Sequence, residues 1–157
     1  MSFANGSLWI NKEFKGEYSD SSLNGLRLFF KGDIDESDRK YIYKFISFLR
    51  KKYFFPIRCN IFFCNQKNFL SFNRKDKCKG IFLQGDIEKK VYPSIYVSSK
   101  ISKNWDKNDI LLSICRLLTY YFQWYFYEDE IRSSRSLEIE ATKYAYYLVY
   151  EFLDLYN

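Results

Sequence analysis

The chain of 157 residues contains no histidine. That absence removes the most common general base and a principal zinc ligand from any mechanism. Glycine and proline are scarce, eight residues together against 31 Phe and Tyr, so long flexible linkers and low-complexity tails have no composition to support them. No segment reaches eighteen uninterrupted apolar residues, which excludes an ordinary helical membrane span. Met1 to Trp9 lacks a basic stretch followed by an apolar run, and no signal peptide is expected. Four cysteines without secretory features point to reduced thiols and a cytoplasmic setting.

What is present suits one compact domain spanning residues 1–157. Hydrophobic residues make up 47% of the chain and aromatics 22%, ample material for a single core. The net charge is +6 and the pI near 9.0, which leaves nucleic acid or an acidic protein surface as partner classes. The 19 acidic residues dilute any basic field. The loop Asn73 to Lys79 and the pair Lys89 and Lys90 are the places where phosphates would be met, although their basic residues also suit a solvated surface.

Periodicity orders the elements. Ser7 to Asn11 and Gly25 to Lys31 read as strands separated by the polar stretch Lys15 to Asn24. Asp35 is placed to cap a helix ending before Pro56, with Ile42, Phe45, Ile46 and Leu49 on its buried face. Strands follow at Ile57 to Cys64, Gly80 to Gln84 and Ser94 to Ser99. A long helix starts at Asp106 or Asn108 and runs to about Tyr127. A last helix begins near Ser133 to Ser136, its core face Leu137, Ala141, Tyr144, Leu148 and Phe152. The expected class is α+β: a small mixed or antiparallel sheet, one helix before and two long C-terminal helices.

The stretches ILLSICRLLTYYFQWYF and RSLEIEATKYAYYLVYEF resemble the core of small gluzincin-type metallopeptidases related to the ImmA/IrrE group. The resemblance implies a minimal zincin-like domain in which one helix carries HExxH, often within HELxHYxQ, and the next carries an ExEA stretch whose glutamate completes the metal site. Two histidines four apart share a helical face and bind zinc, and the glutamate between them acts as base. Setting Tyr121, Phe122 and Gln123 on the YxQ positions puts Arg116 at the first ligand, Leu117 at the base and Tyr120 at the second ligand. Glu140 alone keeps the family's residue type. A guanidinium has no lone pair to offer a metal, and leucine cannot deprotonate water. The chain is therefore expected to be a pseudoenzyme with no metal and no cofactor.

Helical geometry puts Ser113, Arg116, Thr119, Tyr120 and Gln123 in one polar sector and Ile110, Ile114, Leu117, Leu118 and Tyr121 in the apolar one. If the helices pack as in the family, Arg116 would occupy the vacated metal position and pair with Glu140. Competing metal sites are weaker. Cys59 and Cys64 would point to opposite faces of one strand, leaving Cys78 and Cys115 nothing to complete. A carboxylate cage from Glu128, Asp129, Glu138 and Glu140 is weaker still, because Glu128 to Glu130 read as a solvated interhelical loop.

A fold without its chemistry persists for its surface. A protein partner is expected, with Gln123, Trp124 and Tyr127 as contact candidates because rings of this kind concentrate at interface hot spots. Small chains rich in Lys, Asn, Ile, Tyr and Phe are often carried by phages or mobile elements, and the expected role is an inhibitor of host defence of anti-CRISPR type. The alternative is a basic nucleic-acid-binding module. An enzyme resting on Cys115 beside Arg116 is a third reading, set against the inertness of buried helical thiols.

Overall fold

A computed structural model describes residues 24–70, 76–127 and 130–156. The element order is β1 (Leu26–Lys31), α1 (Glu36–Lys52), β2 (Cys59–Cys64), β3 (Phe69–Leu70), β4 (Lys77–Cys78), β5 (Gly80–Leu83), β6 (Ser94–Ser98), α2 (Lys107–Tyr125) and α3 (Ser134–Tyr156). This is the α+β plan that periodicity predicts, with one helix inside the sheet region and two at the C-terminal end. The strand expected at Ser7 to Asn11 and most of the polar stretch after it lie outside the described residues.

Four strands form a mixed sheet in the order β1-β2-β6-β5. β1, β2 and β6 run parallel, and β5 closes one edge antiparallel to β6. Register sorts the side chains by period two. Leu26 with Cys59, Leu28 with Ile61 and Ile95, and Phe30 with Phe63 and Val97 share one face, and most of them are fully buried. On the other face Phe29, Phe62 and Tyr96 stack in a ladder with ring centroids 5.0 and 4.8 Å apart. A separate two-residue hairpin pairs β3 with β4. Its β4 strand falls within Asn73 to Lys79, which reads as loop, because strands this short carry no periodicity.

α1 buries Ile42, Phe45, Ile46 and Leu49, the face its spacing implies, and adds Phe48. Phe152 of α3 sits among these rings, 5.0 Å edge-on to Phe45 and 5.6 Å from Phe48. Asp35 is the N-cap residue of α1 but makes no side-chain cap hydrogen bond. Asp106 does cap α2, accepting from the Asn108 and Asp109 N–H groups, while the Asp109 carboxylate accepts from the Asp106 N–H. Both orphan ends are thereby satisfied in a capping box.

α2 departs from its two-sector pattern. Ser113, Thr119 and Gln123, read as part of a polar face, are buried together with the apolar residues. α2 packs against β5, β6, α3 and α1, so nearly its whole circumference is covered. Its polar groups find local partners, as when Thr119 Oγ1 donates to the Cys115 carbonyl at 2.9 Å. Tyr121, also buried, donates its hydroxyl to the Ile57 carbonyl at 2.6 Å and accepts from the Ile57 N–H at 3.0 Å. Those two bonds tie α2 to the chain entering β2 without leaving the hydroxyl unsatisfied.

Cys59 and Cys115 are essentially inaccessible, and burial pushes both thiols far above the usual range. The thiolate is the reactive species. In the native protein iodoacetamide should therefore label Cys78, which is half-buried, while Cys59 and Cys115 react only after unfolding. Mass spectrometry of the labelled peptides checks this; native labelling of Cys115 would contradict the packing of α2.

Candidate functional site

Where the edge strand β5 approaches the helix pair, a cleft of about 1190 Å³ opens. Its walls are β5, the α2 residues Leu112, Ser113, Arg116, Leu117, Tyr120 and Trp124, and the α3 residues Leu137, Glu138, Thr142 and Tyr146, with Trp105 also lining it. Such a volume exceeds the roughly 300–1,000 Å³ of a small-molecule pocket and suits a longer ligand.

β5 enters the cleft because of Gly80. A Cβ there would stand 2.8 Å from Leu117 Cδ1, 2.8 Å from Ser113 Oγ and 3.1 Å from the Tyr96 carbonyl oxygen. Only hydrogen leaves room for strand and helix to meet this closely. Two positions on, Phe82 lies 6.3 Å from Trp124, so the strand also meets α2 through rings.

The hydrogen-bonding edge of β5 matters more than its side chains. The Ser98 N–H donates to the Lys79 carbonyl at 2.8 Å, so Lys79 and Ser98 form a bonded pair. Alternation along the antiparallel register then assigns Ile81 and Leu83 to the bonds with β6. Gly80 and Phe82 turn their N–H and C=O groups outward. Among the described residues no strand pairs with that outer edge.

Arg116, Leu117 and Tyr120, the three positions on which the resemblance sets the metal ligands and base, all line this cleft. Glu140 does not. It is buried, and its Oε1 accepts from Gln123 Nε2 at 2.9 Å and from Arg132 Nη1 at 3.0 Å. The expected Arg116–Glu140 pair is therefore replaced by an Arg132–Glu140 pair. Geometry supplies the reason. α2 and α3 are joined by a short connection and pack as neighbours, and the Gln123–Glu140 contact fixes their relative level. Arg116 sits seven residues before Gln123, about 10 Å farther along α2 at 1.5 Å per residue. At that level Arg116 shares the cleft with Thr142 and Tyr146, and its side chain is exposed. The α3 carboxylate that lines the cleft is Glu138.

Arg132 also donates to the Ser136 hydroxyl at 2.8 Å and to the Ser136 carbonyl at 3.3 Å, and Gln123 donates to the Leu137 carbonyl at 3.1 Å. Gln123, a contact candidate in the sequence, is thus a buried strut between α2 and α3 at the floor of the cleft. Trp124 lines the cleft, whereas Tyr127 is 61% exposed beyond the end of α2 with φ 57°. Burial, then the Glu140 charge, raises the pKa of the neighbouring Tyr144 hydroxyl.

Among the described residues no three His, Cys, Asp or Glu side chains group as a metal site would require. Arg116 and Tyr120 do not supply the imidazoles that zinc takes in the family's site, and Leu117 supplies no base. Elemental analysis of the purified chain should find well under one zinc per molecule, and unchanged zinc content in Glu138→Ala and Glu140→Ala. Stoichiometric zinc lost in either variant would contradict this reading.

No helix among the described residues is long and apolar enough to cross a membrane. The ring ladder Phe29, Phe62 and Tyr96 is not a base-stacking platform of the usual form, because the central Phe62 has a ring against each face. Lys89 and Lys90 are exposed in the turn bridged by Asp86 and Val91, and residues 73–75 of the basic loop lie outside the described residues. Comparison with known proteins finds no family model, no curated protein and no solved structure that matches this chain.

Proposed function

We propose that this chain is a non-catalytic, metallopeptidase-like protein whose cleft receives an extended segment of a partner protein. The observation that carries the reading is the outer edge of β5, which no strand among the described residues pairs, opening into a cleft of about 1190 Å³ walled by Phe82, Tyr120 and Trp124. An extended peptide adding to a free strand edge gains main-chain hydrogen bonds for affinity, while alternate side chains enter pockets for specificity. Gly80 and Phe82 offer those bonds. Leu112, Tyr120 and Trp124 offer the apolar wall.

The same positions argue against hydrolysis. The cleft side of α2 presents Ser113, Arg116, Leu117 and Tyr120, Cys115 is buried with its pKa raised, and the half-buried Cys78 that does line the cleft has no histidine in the chain to serve as its base. Binding with no turnover is what such a cleft supports.

A random peptide library displayed against the immobilised full chain tests this. Selected sequences should bind wild type, lose roughly 30-fold in affinity on Trp124→Ala, as for a hot-spot ring, and be unaffected by Tyr127→Ala. They should be recovered intact. Selection of no peptide, or equal affinity for the Trp124→Ala protein, would remove the cleft as the binding site.

A further inference from the structure

α3 buries one face and leaves the opposite one open. On the open face Ile139, Lys143, Tyr146 and Tyr150, followed by Leu153, half-buried at the edge of the core, succeed one another at intervals of four, three, four and three residues, the spacing of a coiled-coil seam. Ile139 is 45% exposed, Tyr146 48% and Tyr150 60%, while Lys143 and the flanking Asp154 are also exposed. The Tyr146 and Tyr150 rings lie 6.0 Å apart and form the centre of the stripe. Solvated helix faces are polar, and tyrosine is a residue of interfaces.

We propose that this face binds a second copy of the chain, with α3 packed antiparallel against α3 of that copy. The choice of occupant comes from self-complementarity. A two-fold axis crossing the stripe at the level of residue 148 brings Tyr146 against Tyr150 of the second copy. The same operation sets Lys143 against Leu153, where the adjacent Asp154 meets the ammonium. Four of the five stripe positions thus fall opposite one another, Ile139 lying beyond the paired stretch, and the arrangement forms two equivalent Lys143–Asp154 contacts, as an isologous interface requires. A parallel pairing would set Lys143 against Lys143 and is disfavoured by like charge. The seam shares Tyr146 with the cleft but does not depend on what the cleft binds.

Sedimentation equilibrium of the full chain tests the assembly. With rising concentration the mass should climb from 19.1 kDa towards twice that value. Tyr150→Glu, at an exposed position where the fold should persist, is expected to weaken association roughly 30-fold, the loss of a hot-spot ring. Lys143→Glu and Asp154→Lys should each weaken it about tenfold through two like-charge contacts, and the double variant should restore it. A mass fixed at 19.1 kDa up to about 200 μM, a range that includes weak interfaces, would overturn the proposal. So would dimerisation indifferent to Tyr150→Glu, or a double charge swap no tighter than the single reversals.

Discussion

Glu140→Ala is expected to destabilise the fold by about 3 kcal/mol, because the carboxylate removed is the buried partner of a guanidinium and a buried amide. Arg132→Ala should cost a similar amount, since it would remove the guanidinium that pairs with Glu140, a carboxylate only 2% exposed. The double variant should lose much less than the two together, as coupled partners do. Arg116→Ala should change stability by less than about 0.5 kcal/mol, in line with an exposed side chain outside any such network. Urea unfolding of the four proteins gives the comparison. Additive losses for Arg132 and Glu140, or a large loss for Arg116, would restore the pairing that the resemblance implied.

Gly80→Val should cost about 3 kcal/mol, at the high end for overpacking. The added methyl groups would meet Leu117 and Ser113 inside van der Waals distance, and the Tyr96 carbonyl oxygen prevents β5 from retreating freely towards β6. Gly80→Ala should cost less, because the Leu117 and Ser113 side-chain ends can give way by a few tenths of an ångström. The same unfolding measurement reads both. Equal stability of wild type and Gly80→Val would mean that β5 does not approach α2 as closely as the cleft requires.

Much of the architecture is legible because burial imposes a period. The α1 face of Ile42, Phe45, Ile46 and Leu49, the alternation within Cys59–Cys64 and the last helix are all decided by which side chains water excludes. Of the expected α3 core face only Leu137 is less than buried, and it turns into the cleft. α2 was harder to read, since a polar sector marks solvent only when its groups lack partners inside. Thr119 bonds its own helix and Gln123 bonds α3, so both are covered.

The cleft itself was half visible. Part of its α2 wall follows from helical spacing, which puts Arg116 and Tyr120 towards one region, whereas Leu117, assigned to the apolar sector, also lines it. Its β5 wall depends on strand order, and no local pattern states that the third long strand in sequence ends at the sheet edge, antiparallel to its neighbour. The Arg132–Glu140 pair was invisible for a related reason. Arg132 precedes the helix, and its reach to Ser136 and Glu140 depends on how the connection enters α3.

Amide hydrogen exchange along β5, with and without a selected peptide, tests the central claim most directly. In the free protein the Ile81 and Leu83 amides, bonded to β6, should be protected, whereas those of Gly80 and Phe82 should exchange quickly at the open edge. Peptide binding should slow Gly80 and Phe82 by roughly 100-fold, the protection conferred by a new strand, and leave Ile81 and Leu83 nearly unchanged. Protection confined to α3 or to the Phe29 face of the sheet, or Gly80 and Phe82 amides already protected in the free chain, would contradict a strand-accepting cleft.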